Sequence, residues 1–243
     1  MPTDPFLLNP NLDVSDLRAR YARAGRVRIK DLLSDDGPQR LHAYLQDHAD
    51  WRQVLNSNDT FYELDRSVRD AMSDAQRKAL YAAVHKGAES GFQYRYETIR
   101  VADGVGARVA NPDLLTLFAS WLSSPAPLAV LKAITGADDT RFVDAQATAY
   151  AACDFLTAHD DEVAGKDRRA AYVFGLTPQW RAEWGGLLLF HDRDGMVEGL
   201  VPDFNTLDIL AVPQLHSVSY VTPSAPTKRY SITGWLRAQR QPV

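Results

Sequence analysis

The sequence predicts an α+β protein with a mainly β core: a jelly roll, with N-terminal helices packed on one of its sheets. Three observations carry this expectation. Residues 1–140 place apolar side chains at helical spacing behind capping residues, with a few strands between them. From Phe142 onward the pattern changes to short stretches divided by turns, an even series with no repeat, which suits a double-sheet roll. No linker, low-complexity segment or composition shift separates the halves, so residues 1–243 are expected to form a single domain. Within it, residues 1–140 would be the mostly helical part and residues 141–240 the β core.

Asp13-Val14-Ser15 followed by Leu17, Tyr21 and Gly25 reads as a capped helix with a C-terminal glycine, and Arg26-Val27-Arg28-Ile29 then alternates like a strand. Ser34-Asp35-Asp36 can cap a helix that carries Leu41, Tyr44 and Leu45, and Ser73 one that carries Leu80, Ala83 and Val84. Phe92 to Thr98 alternates aromatic residues and so predicts a strand. Pro112-Asp113 opens a helix through Leu114, Leu117, Phe118 and Trp121; Ser-Ser-Pro breaks it, and a second helix runs to a stop at Gly136. Strands are then expected at 142–150, about 170–177, 185–191, 207–212, 217–222 and 228–237. Thr177-Pro178, Asp192-Arg193-Asp194-Gly195 and Thr222-Pro223 punctuate them.

Bulk properties narrow the function classes. With 45% apolar residues in a chain of 243, a substantial core can form. Met1-Pro2-Thr3-Asp4-Pro5 has no basic and apolar leader pattern, and no apolar run reaches the roughly 20 residues of a membrane span. The single cysteine, Cys153, has no internal partner and is expected to be a buried inert thiol, which fits a cytoplasmic protein. A net charge of −4 with scattered Lys and Arg argues against a nucleic-acid partner.

His159-Asp160-Asp161 follows a strand-like stretch. Residues i and i+2 of an extended chain share a side, so His159 and Asp161 can reach one ion while Asp160 faces away. His216 lies 57 residues on, at the start of another expected strand, where sheet pairing can close the distance. Two imidazoles and a carboxylate on one face of a metal leave positions open, the arrangement of non-haem Fe(II) oxygenases. Taken singly, His159 and Asp161 serve as well for a solvated acidic turn, and His216 for a strand residue bonded through its ring nitrogens. The segment Thr227 to Arg237 alternates so that Arg229, Ser231, Thr233 and Trp235 share a face. Arg229 offers paired donors to a carboxylate, and the Ser231 hydroxyl can add one more hydrogen bond.

In this order, His159-x-Asp161, His216 and Arg229-x-Ser231 resemble the Fe(II)/2-oxoglutarate dioxygenase superfamily, whose catalytic core is a double-stranded β-helix. Within it, the run from Arg229 to Trp235 and Trp184-Gly185-Gly186-Leu187 resemble the prolyl-hydroxylase branch, particularly the protein hydroxylases that modify a ribosomal protein. The resemblance covers roughly residues 142–240. It implies Fe(II) held by His159, Asp161 and His216, and 2-oxoglutarate as cosubstrate with its distal carboxylate on Arg229. It also implies a hydrogen bond from Tyr150 near the cosubstrate, Trp235 on the substrate side, O₂ as oxidant and ascorbate as reductant. The implied substrate is a prolyl residue of a protein or peptide, with succinate and CO₂ as co-products. Two departures stand out. The His216 to Arg229 gap of 13 residues is a few longer than usual, and Gly175 stands where some prolyl hydroxylases supply a second carboxylate-binding tyrosine. Ser231 is the candidate to replace that hydroxyl.

Alternatives stay open at this level. The same chemistry can act on a free amino acid or small metabolite. Nucleic-acid demethylation is disfavoured by Trp235, which stands where that branch has a second arginine. A metal-dependent lyase, an isomerase or a jelly-roll binding module would not activate O₂ at all. His191-Asp192-Arg193-Asp194-Gly195 reads as a polar turn, and His42, His48 and His85 as exposed helix residues.

Overall fold

Asp13 accepts hydrogen bonds from the N–H groups of Ser15 and Asp16, and Gly25 closes the other end at φ 67°, so helix α1 (Val14–Ala24) has both expected stops. The computed structural model describes residues 4–57, 60–192, 194–239 and 241–242; Met1–Thr3, considered above as a leader, and Arg193 of the polar turn lie outside the described residues. Strand β1 (Arg26–Lys30) follows, then α2 (Gly37–Asp47), the hairpin β2 (Arg52–Ser57) and β3 (Thr60–Leu64), α3 (Arg66–Ala71) and α4 (Asp74–Gly87). Ser73 and Gln76 form a reciprocal capping box at the start of α4. Next come β4 (Tyr94–Arg100), α5 (Val105–Ala110), α6 (Leu114–Leu122) and α7 (Pro125–Thr135).

The remaining strands are β5 (Phe142–Val143), β6 (Gln146–Tyr150), β7 (Phe155–His159), β8 (Arg168–Leu176), β9 (Leu188–His191), β10 (Val197–Leu200), β11 (Phe204–Ala211), β12 (His216–Val218) and β13 (Arg229–Arg237). The expected strand 142–150 is divided because Asp144 turns aside to bond Arg237 at 2.5 Å and the Trp235 N–H at 2.6 Å. The expected strand 217–222 stops at Val218, beyond which Ser219 and Val221 bond to Leu187 and Asp154. The hairpin β2–β3, the short helices α3 and α5 and strand β10 are additions that no clear periodicity announced.

The sheet runs β1-β11-β8-β13-β6-β4-β7-β12-β9-β10 and curls on itself, as a jelly roll does. At the seam, Arg26 of β1 pairs with Glu198 of β10, and Arg28 Nη1 donates to the Val201 carbonyl at 2.9 Å. One face of β1, β11, β8, β13 and β6 carries Ile29, Leu207, Phe174, Ile232 and Ala147, which pack with Leu17, Leu41, Phe118, Leu122 and Leu131 from the helices. The other face of the same strands lines the inside of the roll. Among the described residues, no single helix is long and apolar enough to cross a membrane.

Candidate metal centre and anion anchor

His216 and His159 are directly opposed in the antiparallel pair β12–β7, which is how a separation of many residues along the chain becomes a ring-centroid distance of 4.1 Å. Asp161 reaches the same point by a different route from the one its spacing suggested. Strand β7 ends at His159, and Asp161 sits at φ 65°, so a left-handed turn, not strand alternation, swings its carboxylate back. Its Oδ1 lies 3.5 Å from His159 Nε2 and its Oδ2 3.5 Å from His216 Nε2. The three ligand atoms lie within 4.8 Å of one another, the one such grouping of three among the described residues.

Backbone carbonyls fix the imidazoles. His159 Nδ1 donates to Thr157 O at 3.1 Å and His216 Nδ1 to Gln214 O at 2.8 Å, the tautomer that leaves both Nε2 lone pairs facing Asp161. Burial pushes the His216 pKa down, and His159 beside it adds to the effect. Burial also opposes ionisation of Asp161, but the two histidines and Trp235 outweigh it and hold the carboxyl below its usual value. The result is two imidazole nitrogens and a carboxylate on one side of an open cavity, a donor set that fits a divalent iron with positions to spare. Arg168, unnoticed in the sequence, steadies the turn: its Nη1 donates to the Asp161 carbonyl at 2.9 Å and its guanidinium lies 3.5 Å over the Trp235 ring.

The cavity has a volume of about 420 Å³ and runs from this cluster to Arg229, with Tyr94, Tyr96, Tyr150 and Trp235 among its walls. Arg229 is 4% exposed and its Nη1 has no hydrogen-bond partner among the described residues. A buried guanidinium left in this way is costly unless an anion completes it. Tyr150 is the cross-strand partner of Arg229, whose guanidinium sits 5.2 Å over the phenol ring. Burial pushes the Tyr150 pKa well above its ordinary value, so its hydroxyl stays a donor. Ser231 Oγ lies 2.8 Å from Thr148 Oγ1 on the neighbouring strand. Thr148 shares the face of Tyr150 two residues earlier, so alternation within the expected strand was a signal that could have found it.

Gly175 does not open the chamber. A Cβ there would meet the Asp203 carbonyl at 2.5 Å and Thr206 Oγ1 at 2.8 Å, so the residue before β11 and Thr206 within it already occupy the space of a side chain. The segment after β12 packs beside Tyr150, next to the anchor. Cys153 N–H donates to Val221 O, Val221 N–H to Asp154 O and Gly186 N–H to Ser219 O, and Val221, with no exposed surface, packs with Tyr150 and Val218. Gly185 permits the approach: at φ 71°, its Cβ would lie 1.9 Å from the Tyr220 carbonyl oxygen.

Residues 145–237 match the family model described as the 2OG-Fe(II) oxygenase superfamily. The matched stretch holds strands β6 to β13, and with them the His-Asp-His cluster and Arg229. A family of that kind implies Fe(II) and 2-oxoglutarate, and O₂ as the second cosubstrate. Prolyl 3-hydroxylase OGFOD1 of Mus musculus is 34% identical over 127 residues, 49% of this chain and 21% of that protein. The Xenopus laevis protein of the same name is 32% identical over 127 residues, 49% of this chain and 22% of its own length. The chain therefore spans about a fifth of the length of the curated relatives it matches. In fold, the chain resembles a Pseudomonas putida prolyl-4-hydroxylase, with a TM-score of 0.58 at 16% identity, covering 93% of this chain and 99% of that one. A Trichoplax adhaerens prolyl hydroxylase, solved with a hypoxia inducible factor peptide fragment, gives 0.55 at 14% identity over 93% and 89% of the two chains.

The remaining candidates fall outside this cluster and its cavity. His191 Nε2 lies 2.8 Å from Ser217 Oγ, a local contact. His85 is exposed as expected, but His42 and His48 are half-buried. His42 Nδ1 lies 2.8 Å from the Leu176 carbonyl, and its ring packs edge-on against Tyr230, 5.8 Å away. Cys153 is half-buried, not buried, because it sits at φ 73° on the turn under Val221.

Proposed function

We propose that this protein is an Fe(II)- and 2-oxoglutarate-dependent dioxygenase that hydroxylates a prolyl residue of a protein, releasing succinate and CO₂. The observation that carries the reading is one cavity with a His-Asp-His cluster at one end and the unpartnered guanidinium edge of buried Arg229 at the other. His159, Asp161 and His216 would hold the iron. Bound there with 2-oxoglutarate and O₂, iron supplies the oxidising power that inserts one oxygen atom into a substrate C–H bond.

The protein's own part is to bind, orient and shield. Arg229 takes the distal carboxylate as a charge-assisted pair, and the Ser231 and Thr148 hydroxyls complete its hydrogen bonds. Tyr150 donates beside it and covers the guanidinium. The aromatic walls Tyr94, Tyr96 and Trp235 keep water from the reacting end and offer flat apolar faces to a prolyl ring. The preference for a protein-borne proline draws on the similarity to prolyl hydroxylases. The core shared by helices and strands supports treating residues 1–243 as one domain.

Anaerobic titration of the apoprotein with Fe(II) and then 2-oxoglutarate is expected to raise a visible metal-to-ligand band that Arg229→Ala weakens. Bound metal with no band in the wild type would favour a lyase or a binding module instead. Incubation with proline-bearing peptides should then add one oxygen per succinate formed, and turnover of free amino acids in preference to peptides would shift the substrate to small metabolites.

A further inference from the structure

Behind Arg229 lies a second charged pair that the oxygenase reading does not use. Arg28 of β1 and Asp208 of β11 are opposed in register, and the arginine fork spans both carboxylate oxygens, Nε to Oδ1 at 2.6 Å and Nη2 to Oδ2 at 2.7 Å. Its third nitrogen, Nη1, is tied to the Val201 carbonyl across the seam at 2.9 Å. Asp208 is 5% exposed. Arg28, Asp208, Thr206, Ser231 and Arg229 all line one small cavity of about 10 Å³, so no layer of side chains separates the carboxylate from the anchor. Two buried opposite charges in one enclosure attract, and Asp208 is a carboxylate that lines the same small cavity as the anchor and so competes with an incoming one. Yet the Arg229 edge at Nη1 is left unpartnered among the described residues.

We infer that Arg28 is a positioning residue that holds Asp208 off Arg229, so that the anchor keeps its donors free for the cosubstrate while the carboxylate's field still supports its charge. The inference rests on the reading of Arg229 as the 2-oxoglutarate anchor. Its geometry has a definite consequence. Without the Arg28 fork, the Asp208 carboxylate loses both hydrogen bonds in a buried site, and Arg229 is the cation left to satisfy it. The anchor is then occupied from within, and 2-oxoglutarate has to displace an internal carboxylate to bind.

The test is calorimetric titration of 2-oxoglutarate into the full chain loaded with Mn(II), a redox-silent stand-in, with Mn(II) affinity measured on every variant as a check that the roll is intact. Arg28→Leu is expected to weaken 2-oxoglutarate binding about tenfold or more, because a charge-assisted bidentate pair must be broken to admit the ligand. Arg28→Lys, which can hold one oxygen but not both, should fall between. The deciding variant is Arg28→Leu combined with Asp208→Asn: removing the competing charge should return the affinity to within about threefold of wild type. A double variant as weak as Arg28→Leu alone, or an Arg28→Leu variant as tight as wild type, overturns the inference and leaves the cosubstrate reading standing. A wild-type protein that binds Mn(II) but no 2-oxoglutarate overturns both.

Discussion

Strands β6, β8, β11 and β13 bury both of their faces, but with opposite contents. Toward the helices they present Ala147, Ala149, Phe174, Ile209 and Ile232, none more than 1% exposed. Toward the inside of the roll, the same strands present Thr148, Tyr150, Asp208, Arg229 and Ser231, none more than 5% exposed. Ordinary alternation puts the polar face in water, where its groups are satisfied at no cost. Here it encloses a cavity and leaves buried atoms such as Arg229 Nη1 and Thr206 Oγ1 without partners among the described residues. The helix-side face is therefore expected to hold the fold, and the inner face to bind at the expense of stability.

That division breaks or holds by mutation. The largest effect should come from His216→Ala, which removes a ligand held between two strands: metal retention after dialysis should be lost while far-ultraviolet circular dichroism is unchanged. Phe174→Ala, on the helix-side face of β8, deletes a ring stacked 5.1 Å from Phe118 and should cost about 3–5 kcal/mol in urea unfolding. Arg229→Met should weaken 2-oxoglutarate binding by at least about thirtyfold and yet leave urea stability equal or higher, because a buried guanidinium whose Nη1 has no hydrogen-bond partner among the described residues is replaced by an apolar chain. A marked loss of stability in that variant would mean the guanidinium is structural and would erase the contrast between the faces. Ser231→Ala should be the mildest, about 1 kcal/mol or roughly fivefold in cosubstrate affinity, since one hydroxyl contact with Thr148 goes with it.

Much of this contrast was legible in residue order. The helices that end at Gly25 and Gly136 announced themselves through caps, and Arg229 and Ser231 shared a face by simple alternation. His159 and His216 could be named as partners once the Arg229-x-Ser231 motif downstream was read with them. What the sequence withheld has physical causes. Asp161 depends on a left-handed turn that strand parity cannot foresee. The Arg28–Asp208 pair depends on the register of β1 against β11, and residues 180 apart carry no local mark of it. Strands β2, β3 and β10 are short and lack clean alternation, so only their tertiary neighbours define them.

The contact between Gly185 and Tyr220 has a consequence for protein engineering. A loop of this length between His216 and Arg229 can lie flat over the anchor only if the facing turn has no side chain to obstruct it, so the two segments form one transferable unit. A chimera that receives residues 219–228 without the Gly185-Gly186 turn would inherit a collision, and a relative that carries the glycine pair is the natural recipient for the graft.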